Sequence, residues 1–281
     1  MSAMPSPDAA PIFRPGFLAR ARQLFDRRET IRYLVTSNLK AGHRDKVLGH
    51  LWSMLDPLLF MAVYYVVFGL IFGQAAQRRT EFMLYLFVGV LAWRFLDATV
   101  SQSALCIRGN RGLIHEINFP KAIFPIAVCL ARLYDFAWGL LVYVGVLLVA
   151  GHSLSPMVVW LPLLLLLQLT FVTGIAFGVA YLGAFYADTP NVATVAMRLW
   201  FYSTPIFYFL EGPNAPIPER FRPLMLLNPV AAQVENYRRV LISGGMPDFS
   251  LLAYSACAAA LALIVGFALF GRGEGTFAKY V

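Results

Sequence analysis

Charged residues are scarce in this sequence. Only 14% of its 281 residues are Asp, Glu, Lys or Arg, whereas 59% are hydrophobic. A soluble globular domain has about 25% charged and about 45–50% apolar residues. A single water-soluble core does not accommodate this excess, but lipid tolerates apolar residues on every face of a helix. The composition therefore predicts an all-α integral membrane protein.

Cysteine and histidine are also few, with three and four residues respectively. Cys106, Cys129 and Cys257 lie in apolar stretches, and none forms a CxxC pair. They are typical of small core residues rather than of disulfides or metal ligands. The histidines show no metal-ligand spacing, so we expect no metal and no cofactor bound by this chain.

Two enzyme motifs are absent. A phosphate-binding loop requires GxxxxGK[ST], and no segment matches it. There is no DxD motif either, and the acidic residues are scattered, whereas a metal–diphosphate site needs clustered carboxylates. The chain is therefore expected to be a non-enzyme that binds no ATP itself.

The first residues differ from the rest of the chain. Residues 1–25 have no apolar core of a signal peptide and are expected to form a disordered tail. Between residues 26 and 52, apolar positions recur at helical spacing: Ile31, Leu34, Val35 and Leu39. Basic residues occupy other angles: Arg27, Arg28, Arg32 and Lys40. This pattern predicts an amphipathic helix lying in the membrane interface on the cytoplasmic side.

Six segments are long and apolar enough to cross a bilayer, which takes about 20 residues. They are residues 53–72, 82–107, 122–150, 157–185, 192–210 and 250–270. Six crossings within a domain of residues 53–271 place both termini on one side. With Arg198 counted there, that side has fifteen Lys and Arg residues against six on the other. The positive-inside rule then predicts cytoplasmic termini, with residues 272–281 as a cytoplasmic tail.

The longest external connection covers residues 211–248. Its first part contains four prolines, which exclude a continuous helix. Asn228 and Pro229 are typical of a helix cap and first helical position. The connection is therefore predicted to be a helical hairpin, with a short helix over residues 230–242 at the outer membrane face.

The segment that leads into the first span has an ordered set of six residues: Leu39, Lys40, Leu48, Gly49, Trp52 and Pro57. This pattern resembles the entry to the first span of ABC-2 type transporter permeases. Three residues depart from it: Gly42, His43 and Lys46. Further similar segments follow in order to the end of the chain: NFPKAIFP, FYADTPNV, FYSTPIFY, NPVAAQVENYRRVL and FAKYV.

The resemblance implies a permease that exports lipid-linked polysaccharide, such as O-antigen, capsule or teichoic acid, across the bacterial inner membrane. It also implies a homodimer working with two ATP-binding subunits, which would use ATP and Mg²⁺. Nucleic acid is not an expected partner, because the +8 net charge fits cytoplasmic loops of a membrane protein. The alternatives are an exporter of a drug or small lipid, a membrane glycosyltransferase, or a structural scaffold.

Two pairs of opposite charges lie inside predicted spans. Arg94 and Asp97, like Arg132 and Asp135, are three residues apart and meet on one helix face. Charges within a membrane are costly and usually face a cavity or each other. The hypothesis is that they line or gate the inner entrance, and the alternative is a structural role as ion pairs between spans.

Aromatic residues concentrate in the first and fifth predicted spans: Phe60, Tyr64, Tyr65, Phe68, Trp200, Phe201, Tyr202, Phe207 and Tyr208. A sugar ring can stack its apolar face on an aromatic ring, and tyrosine hydroxyls can bond its hydroxyls. The resemblance places these two spans along the conduit. The alternative is a belt at the headgroup level. Pro205 is predicted to kink the fifth span.

The loop over residues 107–121 is the candidate docking site for the ATP-binding subunit. Its polar residues are Arg108, Arg111, His115, Glu116 and Lys121. The alternative is an ordinary positively charged cytoplasmic loop.

Gly174 and Gly178 form a GxxxG motif in the fourth predicted span, which indicates a close approach of another helix.

Overall fold

The computed structural model describes residues 27–43, 51–71, 79–116, 119–208 and 218–280. Helices are the regular structure throughout these ranges, and no strand occurs in them, which confirms the all-α prediction. Within these ranges, four helical segments are long and apolar enough to cross a membrane. They are built on α3 (Arg79–Ser103), α6 (Ile123–Val149), α7 (Leu161–Phe185) and α11 (Phe249–Gly273). The total of six spans remains a prediction.

These four helices correspond to the second, third, fourth and sixth predicted spans. A 3-10 turn, Pro156–Trp160, extends α7 at its start. The main difference lies in α3, which ends at Ser103 although the apolar sequence continues. The chain turns at Ala104 and continues into α4 (Cys106–Gly109) and α5 (Arg111–Glu116). The turn fits because Ala104 packs directly on Gly183, where a β-carbon would overlap the Ala104 carbonyl.

The first predicted span is helical over α2 (Leu51–Tyr64) and a π-helical continuation, Tyr65–Ile71. The fifth differs from the prediction. Its helix, α8 (Thr189–Tyr202), has 14 residues and is about 21 Å long, less than the roughly 30 Å hydrocarbon core. Because α8 ends at Tyr202, Pro205 lies in a non-helical segment and does not kink a continuous span.

The predicted hairpin contains α9 (Arg222–Leu226) and α10 (Pro229–Leu241). Asn228 caps α10, and its side-chain oxygen accepts a hydrogen bond of 3.0 Å from the Val230 amide. The packing differs from that of a helix resting on a membrane surface. Ten of the 13 residues of α10 are buried, because the helix packs among α3, α7 and α11.

The two ends of the described chain pack on the bundle. The amphipathic helix α1 (Arg28–His43) buries Leu34 against α6, while Arg28 and Arg32 stay exposed. The short helix α12 (Phe277–Tyr280) buries Phe277 among aromatic rings of α7 and α11. The location of α1 in a membrane interface and the cytoplasmic side of both ends remain predictions.

The helices α7 and α11 form the tightest contact between two spans. Gly174 lies directly on the backbone of Ala262 and Leu263, and Gly266 lies on the Gly174 carbonyl. A β-carbon at either glycine would overlap the opposite backbone. Small residues allow this approach, which maximises van der Waals contact in a lipid solvent. Gly178, the other half of the motif, has open space beside it.

Asp248 caps the start of α11. Its carboxylate accepts hydrogen bonds from the Ser250 hydroxyl, from the Ser250 amide at 2.9 Å and from the Leu251 amide at 3.3 Å. Arg239 lies 3.4 Å away. These bonds, the hydroxyl bond first, stabilise the ionised form and lower the pKa of Asp248.

This cap predicts a pH dependence of stability. The lowered pKa means that Asp248 stabilises the fold above its unfolded-state pKa of about 4, and that this contribution is lost as pH falls through the lower folded-state value. Asp248→Asn keeps a capping oxygen but cannot titrate. Its unfolding temperature should therefore decrease less between pH 6 and pH 3 than that of the wild type. Thermal unfolding in detergent micelles checks this. Parallel pH curves for the two proteins would contradict it.

Candidate functional site

One face of α8 packs on the bundle and the other is open. Thr189, Ala193 and Met197 are buried against α3 and α7. On the opposite side, exposed residues recur at helical spacing from the start of the helix to its end: Asp188, Asn191, Val195, Arg198 and Tyr202. We call these five residues the α8 stripe. The positive-inside count above places Arg198 with the cytoplasmic residues. In the structure it is the tenth residue of α8.

The end of α8 is held by α10 through a set of buried and half-buried polar contacts, which we call the α8–α10 clasp. Its members are Trp200, Thr204, Pro205 and Ile206 on one side, and Asn228 and Arg238 on the other. Asn228 accepts a 3.0 Å bond from the Trp200 indole and donates a 2.8 Å bond to the Thr204 hydroxyl. Because the same side chain caps α10, it fixes the start of one helix to the end of the other.

Arg238 completes the clasp from inside the bundle. It donates hydrogen bonds to the carbonyls of Pro205 (2.9 Å) and Ile206 (3.0 Å). Its guanidinium lies 3.3 Å from the ring centroid of Tyr85, and Glu235 is 3.9 Å away. The residue is 3% exposed, so these partners replace water for a buried charge.

The clasp explains how a non-helical segment is tolerated here. After Tyr202 the backbone loses its helical bonds, and the buried irregular backbone of residues 204–207 must find partners within the protein. Arg238 supplies donors for two of the freed carbonyls, and the Tyr85 hydroxyl donates to a third, that of Tyr208, at 3.0 Å. Sequence reasoning misses Arg238 because the prediction assigns residues 211–248 to an external connection, where an arginine needs no buried partner. The available signal was its place one turn after Val234 in the apolar repeat of α10.

A second buried polar chain connects three helices. The Tyr237 hydroxyl donates to Gln168 at 2.7 Å, and the Gln168 amide donates to the Ala92 carbonyl at 2.9 Å. Tyr237 belongs to α10, Gln168 to α7 and Ala92 to α3. The chain therefore joins α10 to both spans between which it is buried.

The aromatic residues near the end of α8 lie mainly inside the chain. Trp200 packs edge-on against Trp93 and Phe171. Phe207 is 4% exposed and packs on Phe201, with ring centroids 4.9 Å apart. Tyr208 is half-buried, and its hydroxyl approaches the Met225 sulfur. In this arrangement these rings support the clasp, and the exposed aromatic ring of α8 is Tyr202 (66%).

The described aromatic side chains of the first predicted span also differ in exposure, one being exposed and one half-buried. Phe60 is exposed on one side, while the Arg94 guanidinium lies 4.6 Å from its ring centroid. Tyr65 is half-buried and packs on the core. The side chains of Tyr64 and Phe68 lie outside the described residues. The role of all nine aromatic residues in a conduit remains a prediction.

The intramembrane charges have internal contacts. Arg132 and Asp135 form an ion pair of 2.6 Å on one face of α6. Arg94 contacts Phe60 across helices and interacts electrostatically with Asp97, which is half-buried. These contacts are compatible with a structural role, and the gating role remains a prediction.

The candidate docking residues fall into two groups. Arg111, His115 and Glu116 are exposed. Arg108 instead points back into the bundle, where it donates to the carbonyl of Gly183 at 2.8 Å and of Ala184 at 3.4 Å. A cation at this place neutralises the C-terminal dipole of α7, so Arg108 fixes the loop.

The last docking candidate, Lys121, is half-buried at the end of the loop. Its backbone amide donates a 2.7 Å hydrogen bond to the Glu274 carboxylate. Glu274, just after α11, is therefore hydrogen-bonded to the loop that carries the docking residues.

Among the described residues, no group of three or more His, Cys, Asp or Glu side chains is placed to hold a metal ion.

Comparison with known proteins gives a consistent result. A family model described as ABC-2 type transporter matches residues 29–242. The O-antigen export system permease protein RfbA of Myxococcus xanthus is 29% identical over 261 residues, covering 92% of this chain and 98% of that protein. RfbA of Klebsiella pneumoniae is 26% identical, covering 88% and 92%. The polysialic acid transport protein KpsM of Escherichia coli is 23% identical, covering 81% and 86%.

Proposed function

Because this chain belongs to the ABC-2 type transporter family, we propose that it is the permease subunit of a polysaccharide exporter. The observation that carries the proposal is the extent of the likeness to permeases named for O-antigen export, which covers nearly the whole length of both chains. The four apolar helices fit a multi-pass membrane protein. The cargo would be a lipid-linked polysaccharide of O-antigen type, moved from the cytoplasm across the bacterial inner membrane.

The energy for transport would come from separate ATP-binding subunits. The sequence contains no phosphate-binding loop of its own, so the ATP and Mg²⁺ would be held by those subunits. We propose two of them on a homodimer of this chain, with cytoplasmic termini. Arg111, His115 and Glu116 would meet the ATP-binding subunit, because they are the exposed part of the loop. Arg108 and Lys121 would hold that loop on the bundle.

The open face of α8, together with Phe60 on α2, would line the path of the glycan. Tyr202 and Phe60 are its exposed aromatic groups, and each offers the stacking surface that a sugar ring uses. A moving polymer needs weak and repeated contacts, because tight binding would stall it. The charges at Arg94, Asp97, Arg132 and Asp135 would position the helices around the inner entrance.

Depletion of this protein tests the proposal. We expect surface polysaccharide to fall while lipid-linked polymer accumulates inside the same cells, because synthesis continues and export stops. The measurement is quantification of both pools, with rescue by the intact gene as the control.

The other outcomes point to different functions. Loss of polymer from both pools would contradict export and favour a synthetic enzyme. No change in either pool would favour an exporter of a drug or small lipid.

A further inference from the structure

Arg198 differs from the other arginines that lie within the helical bundle. Arg238 is buried in the clasp, Arg132 is paired with Asp135, and Arg94 lies over Phe60. Arg198 is exposed and forms no ion pair in the part of the chain that the structure describes. It is therefore the arginine of this group that the fold leaves available to another molecule.

The residues around Arg198 are both polar and apolar, and Leu199 and Val192 beside the stripe are 68% and 65% exposed. In the α8 stripe Arg198 lies between Asn191 and Tyr202, both exposed. This part of the stripe is about 16 Å long at about 1.5 Å per residue. It offers a cation, an amide and a phenol on one line, with Val195 between them. Such a line presents hydrogen-bonding groups to a ligand with several polar groups, while Val195 and the Tyr202 ring provide apolar contact.

Lipid tails do not suit the Arg198 side chain itself. A charged side chain costs several kcal/mol at the centre of a bilayer, and such residues usually face the bundle interior or a water-filled cavity. Arg198 is the tenth of the 14 residues of α8, about 14 Å from the helix start and about 6 Å from its end. We therefore expect the group that covers Arg198 to be polar, with a charge that complements a guanidinium.

We propose that Arg198 binds an anionic group of the exported molecule, a phosphate or a carboxylate, as that molecule passes along α8. The planar fork of arginine matches both groups, because each presents two oxygens to two N–H donors. Asn191 and Tyr202 on either side would bond sugar hydroxyls. The inference rests on the proposed export function, and it adds that the recognised chemistry is anionic.

Binding to the purified full-length chain in detergent micelles tests the inference. The probes are farnesyl diphosphate, which carries a lipid phosphate, an oligoglucuronate, which carries carboxylates, and neutral maltoheptaose. We expect Arg198→Gln to weaken binding of at least one anionic probe by about tenfold, as expected for a lost charged hydrogen bond, and to leave maltoheptaose unchanged. Arg198→Lys should keep part of the affinity, and added salt should weaken the wild type more than Arg198→Gln.

The anionic probe that loses affinity identifies the source, either the lipid carrier or the glycan. Arg272→Gln is the matched control, because Arg272 is an exposed arginine at the end of α11 and its loss changes the net charge equally. It should bind all probes like the wild type.

Two results would overturn the inference. Equal affinities of the wild type and Arg198→Gln for both anionic probes would show that no anion uses this residue. A loss of dimer in sedimentation with unchanged probe affinity would assign Arg198 to a contact between two copies. In cells, normal export by Arg198→Gln together with blocked export on depletion would reject this inference and keep the proposed function.

Discussion

Arg238→Ala lowers the free energy of unfolding by about 3–5 kcal/mol, which is the expected cost of breaking a buried charged network. The substitution removes the donors to the Pro205 and Ile206 carbonyls and the cation above the Tyr85 ring. Each buried carbonyl left without a partner costs about 1–3 kcal/mol. The segment after α8 would then separate from α10.

The measurement is unfolding of the purified protein in lipid–detergent micelles. Arg239→Ala is the matched control, because Arg239 is the next residue of the same helix and has a side chain 34% exposed in an ion pair with Asp248. Exposed ion pairs contribute about 0–1 kcal/mol. Similar losses for the two variants would show that Arg238 does not hold the clasp.

Arg238→Met separates two contributions to the loss. Methionine fills much of the arginine volume but donates no hydrogen bond. If the carbonyl bonds dominate, Arg238→Met will be nearly as unstable as Arg238→Ala. A stability close to that of the wild type would instead mean that packing, rather than hydrogen bonding, accounts for the effect.

The second large effect is expected at Gly174. A valine there places atoms in the backbone of Ala262 and Leu263, which cannot move aside as a flexible side chain would. Overpacking a core costs about 1–3 kcal/mol and occasionally more, and here we expect at least the upper end of that range. The two spans α7 and α11 would have to separate, so little folded protein should be recovered.

Gly178→Val is the control in the same helix. It makes the same chemical change four residues away, where a β-carbon meets no atom within 4 Å apart from its own stretch of helix backbone. The measurement is the yield of monodisperse protein in size-exclusion chromatography, followed by the unfolding temperature. Equal behaviour of the two variants would contradict the close contact at Gly174, and Gly174→Ala should give an intermediate loss.

Much of the helical framework was predictable because it depends on local properties of the sequence. A bilayer of fixed thickness demands a fixed length of apolar residues, and the bounds of α6 and α11 follow the predicted spans closely. The start of α10 was also local, since an Asn-Pro pair favours a cap and first turn in any context. The family resemblance, which the match over residues 29–242 confirms, rests on the same kind of ordered local motifs.

The partners of several polar residues were decided by the tertiary structure, whereas a local pair such as Arg132 and Asp135 follows from its spacing. Arg108 and Arg111 are three residues apart in one loop, yet one caps α7 and the other is exposed. Arg238 and Arg239 are adjacent, yet one is buried in the clasp and the other is half-exposed. A helix sets only the direction in which each side chain points, and the neighbouring helices determine whether it meets a carbonyl, a ring or open space. By itself the sequence located the four long apolar helices, because length and apolarity are local. The total of six spans remains a prediction, and the surroundings of Arg108 and Arg238 depended on contacts between residues far apart in the chain.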